Sequence, residues 1–349
     1  MKTTSIATGA LSQSLRLSLA ELQAKLIEAQ KEVASGRLAD VGAGLGLRAA
    51  EVVSLRQEHA RLQSITDSNG LVASRLEAAQ AALRGLADNA QEFMGNVISA
   101  RDSADARQIV QRQAQAALSA FANALNSSFS GAHLFAGINA DAQPITDYNQ
   151  TPPPAGAQAV ANAFATTFGF PQSDPAASSI TPAAMQNFLD GTFAGLFDAA
   201  AWSTTWSAAS DQNVKSRIST SELIETSVNA NEEAFRKLAS AYTMLADLGV
   251  ASLSEETYQT VVDAAVRAVG AAVAGLTELQ AGLGTAQERI SNANARMSIQ
   301  IDIMNNHIGA LEGVDPYEAS TRLSSLMTQI ETAYAVSARI HKLTILDFL

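Results

Sequence analysis

Val262, Val269, Leu276, Leu283, Ile290, Met297, Met304 and Leu311 recur every seven residues without a miss, and nothing else in the sequence constrains the fold as tightly. Ala265, Ala272, Leu279, Ala286 and Ala293 follow three residues after the first five. Two apolar positions in every seven make the a/d seam of a coiled-coil helix. At 1.5 Å per residue, the stretch from Glu255 to Leu311 would span roughly 85 Å. A helix that long cannot bury its stripe alone, so the chain has to supply a partner of similar length. It does so earlier. Leu55, Leu62, Asn69, Leu76, Leu83, Ala90 and Val97 are again seven apart, with Ile65, Val72, Ala79, Leu86, Phe93 and Ala100 at the d positions. Asn69 puts a polar amide at an a position, a known device for fixing register. The two long helices are expected to pack antiparallel as a rod.

Each end of the chain carries a shorter seam of its own. Leu15, Leu19, Leu22, Leu26, Ala29 and Val33 are spaced alternately by four and three, and Leu11, Leu17 and Ile27 widen the stripe. Ser35-Gly36 and the glycines from Gly42 to Gly46 interrupt the pattern and read as a flexible joint. A dinucleotide-binding glycine loop would need a strand before it, and a helical run stands there instead. At the other end, Gly313 and Asp315-Pro316 stop the long helix, because the residue before proline disfavours the α region. The last helix runs from Tyr317 to Leu349 with Leu323, Leu326, Ile330, Ala333, Ile340 and Leu343 as its stripe, and closes on Leu346-Asp347-Phe348-Leu349. The order is palindromic: short helix, joint, long helix, middle, long helix, joint, short helix.

The middle is different in kind. Seven of the eight prolines lie between Pro144 and Pro182, and nine of the nineteen aromatic residues between Tyr148 and Trp206. From Asp141 to Asp211 there are six Asp and no Lys or Arg. Proline at that density cannot continue a long helix, whereas clustered Phe and Trp can build a compact core. A helix from about Ala104 to Ser128, with Val110, Ala114, Ala117, Phe121 and Ala124 facing in, leads into this stretch. A short helix is predicted from Pro182 to Leu189, and a β-hairpin from Val214–Ile218 and Leu223–Val228. A helix from Asn231 to Leu248 with Phe235, Leu238, Tyr242 and Leu245 as its stripe leads back out. The expected fold is mainly α, a long antiparallel coiled-coil rod with an inserted small α+β domain. Its divisions are terminal helices at 1–40 and 316–349, the rod at 41–138 and 228–315, and an outer domain at 139–227.

Composition and charge exclude several functions. The net charge is −11, with no Lys/Arg-rich run, which argues against a nucleic-acid backbone as main partner. The absence of cysteine rules out disulfide and thiol chemistry. No stretch reaches eighteen uninterrupted apolar residues, so no membrane span is expected. The N-terminus carries one Lys and no apolar core of the kind a cleaved signal needs. His59, His133, His307 and His341 are singletons without metal-ligand spacing. Neither a nucleophile elbow nor a phosphate loop occurs, and no catalytic residue, metal or cofactor is expected.

The informative sites are therefore faces. A lone two-helix seam leaves large side chains in water, and each withholds about 1.5–3 kcal/mol until it is covered. Marginal amphipathic helices of this kind gain order on association. The expected assembly face comprises Leu11, Leu15, Leu19, Leu22, Leu26, Val33, Leu323, Leu326, Ile330, Ile340, Leu343, Leu346 and Phe348. The expected rod seam comprises Leu62, Leu76, Leu83, Val97, Val262, Val269, Leu276, Leu283, Ile290 and Leu311.

Over about 1–138 and 228–349, these residues resemble the bacterial flagellin family. The likeness rests on Leu11 to Val33 followed by Ser35-Gly36-Arg37, on the Leu55–Ala100 helix, on Leu283-Gly284 with Arg289-Ile290, and on the closing Asp347-Phe348-Leu349. Within the family, Gly131-Ala-His-Leu-Phe-Ala-Gly-Ile138 and Gly313-Val-Asp-Pro-Tyr-Glu-Ala-Ser320 are similar to the hook-associated, hook–filament junction branch of alphaproteobacterial type. The segment Leu38 to Leu47 lacks the Arg- and Asn-rich run of a filament flagellin, and His133 stands where that branch often has Tyr. The resemblance implies a structural, non-enzymatic subunit whose terminal helices form the inner tube of an axial assembly. It implies export by the flagellar type III apparatus and a chaperone bound at Leu323 to Leu346. Its partners would be copies of itself, a preceding hook-associated junction protein and flagellin. A filament flagellin is the alternative within the family. A secreted coiled-coil effector or adhesin, its insert binding a ligand, is the alternative of another class.

Overall fold

The computed structural model describes residues 3–346, with side-chain surroundings described for 10–339 except 104. Among the described residues, ten α-helices and four short strands follow in order: α1 (Thr3–Ser35), α2 (Val41–Leu45), α3 (Ala49–Ala100), α4 (Arg107–Leu125), β1 (Ser128–Phe129), β2 (Ala132–His133), α5 (Ala155–Phe168), α6 (Pro182–Phe188), α7 (Ala199–Thr205), β3 (Lys215–Arg217), β4 (Leu223–Glu225), α8 (Glu233–Asp247), α9 (Glu255–Glu312) and α10 (Pro316–Leu346). The protein is predominantly helical, with long helices packed on one another and few strands. The chain divides into two compact units, residues 1–64 with 296–349, and residues 65–295.

In the first unit α1 and α10 pair along their length. Glu32 meets Arg322 and Gln23 meets the Tyr334 hydroxyl, so the two helices run antiparallel. Ala and Leu, good helix formers, recur in both helices, and α10 opens on Pro316, whose missing N–H costs nothing at a first helical position. The expected joint is partly helical. Asp40 accepts a hydrogen bond from the Ala43 amide at 2.9 Å and caps α2, a 3₁₀ turn at Gly46–Arg48 follows, and α3 begins directly at Ala49. Gly36 and Gly46 carry the positive φ values that let the chain turn on either side.

In the second unit, α3 from Ile65 and α9 as far as Ala295 are antiparallel, with Asn69 against Asn294 and Arg101 against Asp263. Packed on them is the pair α4 and α8. The Tyr242 ring of α8 sits edge-on to Phe93 of α3 and Phe121 of α4, with centroids 4.9 and 6.5 Å away. The buried face of α4 is Val110, Ala114, Leu118, Phe121, Ala122 and Leu125; of the expected stripe, Ala117 and Ala124 are only half buried. Gly275 lets α9 approach α8 closely, since a Cβ there would lie 2.9 Å from the Ala234 Cβ.

The proline-rich middle belongs to this second unit. Its core is a run of touching rings, Phe164, Phe188, Phe193, Phe197, Trp202 and Trp206, and Trp202 stacks on Trp206 at 5.1 Å. The same core is tied to the helices on either side in sequence. The Trp202 indole donates to the Ala230 carbonyl, Thr257 of α9 donates to the Ile180 carbonyl, and Tyr148 donates to Asp247 at the end of α8. The predicted short helix is α6, capped by Thr181. The predicted hairpin is β3–β4, paired with Ser216 opposite Ile224. α5 and α7 are elements the sequence pattern did not announce.

Candidate assembly surface

The terminal pair is built like a coiled coil that is one layer short. Along α1, Leu15, Leu19, Leu22 and Leu26 are half buried and Ala29 is buried; along α10, Leu326 is buried and Leu323 and Ile330 are half buried. Leu11 and Val33 stay exposed, at 48% and 39%. Leu17 and Ile27 of α1, and Met327, Tyr334 and Val336 of α10, also face solvent. A two-helix seam can cover only one stripe of each member, and what remains is an apolar surface on both. Ile340, Leu343 and Leu346 lie within α10, but their side chains fall outside the described residues, as does Phe348 altogether. Ion pairs such as Lys25 with Glu21 decorate the outer face, where the ammonium holds the carboxyl below its usual range.

Each unit keeps its own part of the long seam. Leu62 and Leu311 are buried in the first unit. Leu76, Leu83, Val97, Val262, Val269, Leu276, Leu283 and Ile290 are buried in the second. Among the described residues, α9 is also the helix long and apolar enough to cross a membrane by length and composition. Its seam is instead buried against protein.

Asn69 sits in that seam fully buried. Its amide nitrogen donates to Asn294 Oδ1 at 2.7 Å and to the Ile218 carbonyl at 2.9 Å, where the β3–β4 hairpin begins its turn. Thus one side chain of α3 ties α9 and the hairpin together. Arg289 of α9 pairs with Glu222 at the hairpin tip, and Arg75 of α3 donates to the His133 carbonyl in β2, its guanidinium pKa lowered by burial. The sequence signalled Asn69 by its place in the heptad and Arg289 as part of a family-like motif, though not their partners; it gave no signal for Arg75, whose partner is a backbone group 58 positions away.

Between β2 and the middle segment, Leu134, Phe135 and Ala136 are buried, and Gly137 holds φ +63° with the Ser210 and Gln212 carbonyls too close for any Cβ. The glycine-bracketed stretch from Gly131 to Ile138 is thus a tight entry turn into the middle segment. Nearby, burial raises the Asp247 carboxyl pKa, and burial with the Asp247 charge raises that of the Tyr148 hydroxyl. His133 Nδ1 lies 2.9 Å from the Asn126 carbonyl, and His307 lies 3.6 Å from Glu51. Among the described residues, no group of three or more His, Cys, Asp or Glu is placed to hold a metal ion.

Comparison with known proteins agrees with this arrangement at both ends of the chain. Residues 6–140 match the bacterial flagellin N-terminal helical region, and residues 266–349 match the bacterial flagellin C-terminal helical region. No curated protein matches the sequence. Among solved structures, a candidate flagellar hook-associated protein from Vibrio parahaemolyticus superposes with a TM-score of 0.53, at 8% identity, over 77% of this chain and 99% of that one. At that identity the likeness is one of fold.

Proposed function

We propose that this chain, which belongs to the bacterial flagellin family, is the subunit that joins hook to filament. As a member of that family it is a structural component of the flagellum, polymerising with copies of itself, and not an enzyme. The apolar surface left on the α1/α10 pair fits that role, because another helix of the same kind can cover it.

The junction assignment is carried by the Gly131–Ile138 entry turn. In sequence it resembles the junction branch, and Gly137 occupies a position where the Ser210 and Gln212 carbonyls admit no side chain. The structural likeness to a candidate hook-associated protein is in keeping with it. In this reading the protein leaves the cell through the flagellar type III apparatus. A chaperone covers α10 from Leu323 to Leu346 before export, and the assembled subunit contacts a preceding hook-associated protein on one side and flagellin on the other.

A clean chromosomal deletion tests the assignment, with electron microscopy of the cells and an assay for flagellin in the medium. Bare hooks with unpolymerised flagellin shed outside are the expected result. Normal filaments would overturn it and leave a minor filament flagellin as the reading.

A further inference from the structure

Two acids of the first unit are buried, and distant parts of the chain bring two arginines to Glu312 and one to Glu32. Glu312, the last residue of α9, has no exposed side-chain surface. Arg56 of α3 approaches its carboxylate at 2.7 Å from Oε1 and 2.8 Å from Oε2, and Arg37 of the connector after α1 lies 3.6 Å from Oε2. Both arginines are more than half exposed. Glu32 of α1 pairs with Arg322 of α10 at 3.1 Å and accepts a hydrogen bond from the Ala39 amide at 3.3 Å. Backbone bonds run between the same two connectors. Leu38 donates to the Glu312 carbonyl at 2.8 Å, and Val314 donates to the Gly36 carbonyl at 3.0 Å. The N-terminal connector and the turn between α9 and α10 are therefore joined twice, once through main chain and once through charge.

We infer that Glu312 is a positioning residue: its buried carboxylate clasps Arg37 and Arg56 so that the connector of α1 and the turn into α10 are held as one piece. A buried carboxylate is costly unless paired, so its presence at the point where three segments meet needs the two guanidiniums. The main-chain bonds survive any side chain at position 312; what the carboxylate adds is a hold that depends on charge. Because the carboxylate is buried, salt screens that hold much less than it screens an exposed pair. The inference goes beyond the junction assignment and does not depend on it, since it concerns the free subunit.

Hydrogen exchange of the full-length chain tests it. At low salt, Glu312→Gln is expected to exchange about tenfold faster than the natural protein at 36–48 and 313–320. Adding Arg56→Gln to Glu312→Gln is expected to change nothing more, because the pair is already broken. Trp202 and Trp206 lie in the other compact unit, so an unchanged tryptophan-monitored melt shows that the rest of the fold is intact. Should Glu312→Gln fail to fold, the half-exposed Arg37→Gln and Arg56→Gln variants carry the same exchange readout. Unchanged exchange at 36–48 and 313–320 in Glu312→Gln, or effects of Glu312→Gln and Arg56→Gln that simply add, would overturn the clasp even if the chain proves to be the junction subunit.

Discussion

Asn69 shows how much one polar side chain inside an apolar seam can do. Its amide satisfies Asn294 and the Ile218 carbonyl at once, so α3, α9 and the β3–β4 hairpin share a single fixed point. Replacing it with Ala takes the donor from the buried Ile218 carbonyl and from the half-buried Asn294 side chain, and Asn69→Ala is expected to lower stability by about 1–3 kcal/mol in urea unfolding followed by tryptophan fluorescence. A second residue-scale expectation concerns Asp247. Its carboxyl pKa is raised, by burial first, and the Tyr148 hydroxyl donates to it at 2.6 Å. A carboxyl whose folded pKa lies above its unfolded value binds its proton more readily in the folded state, so stability rises as pH falls through that folded value. Asn at 247 can still accept from Tyr148 and has nothing to ionise. Asp247→Asn is therefore expected to exceed the natural protein in stability at pH 7, and the gap to close as the solution is acidified. Glu232, also raised by burial, titrates in both proteins and cancels in the comparison. At this scale the sequence spoke unevenly. Asn69 stood out because it broke a strict period of seven. Asp247, Arg75 and Glu312 could not stand out, because their partners lie at least 58 positions away and no local pattern records them.

The elements themselves were legible where one period governs a long run. α3 and α9 bury the a and d residues that the spacing assigns, from Leu62 to Val97 and from Val262 to Ile290, with Leu279, Ile65 and Val72 only half covered. Leu83 is fully buried, and Leu83→Ala is expected to cost about 2–5 kcal/mol, depending on how far the surrounding side chains collapse into the gap. Matched unfolding curves of the two proteins check this. Legibility fell where short elements are set by tertiary packing. α5 begins directly after three consecutive prolines, with Pro154 as its cap, and a proline run reads from sequence as a breaker. Gly156 in its first turn makes sense only beside Trp206, whose ring lies 2.9 Å from where a Cβ would stand. α2 was likewise hidden among glycines and is held by the Asp40 cap. The proline-rich middle reads as a separate body from composition; in the structure Trp202, Thr257 and Tyr148 bind it to α8 and α9 in one unit.

Across the whole molecule, the ends of the chain meet in one unit and the acidic, aromatic middle lies in the other. The terminal pair leaves Leu17, Ile27, Met327 and Tyr334 in water, whereas the second unit, although Leu71, Ile98, Ile109, Ile138 and Leu223 stay exposed, packs its aromatic core ring on ring. That contrast is the physical basis for assigning assembly to the ends and a self-sufficient fold to the middle. Removing residues 1–35 and 316–349 together is expected to leave the tryptophan-monitored melt of the second unit in place and to abolish polymerisation, read by light scattering and negative-stain microscopy. The central claim is narrower: the subunit sits where hook meets filament. Immunogold labelling of intact flagella with an antibody to residues 139–227 tests it most directly. A single band of label at the hook–filament boundary is the predicted result. Label distributed along the filament would contradict the claim and make the chain a filament flagellin.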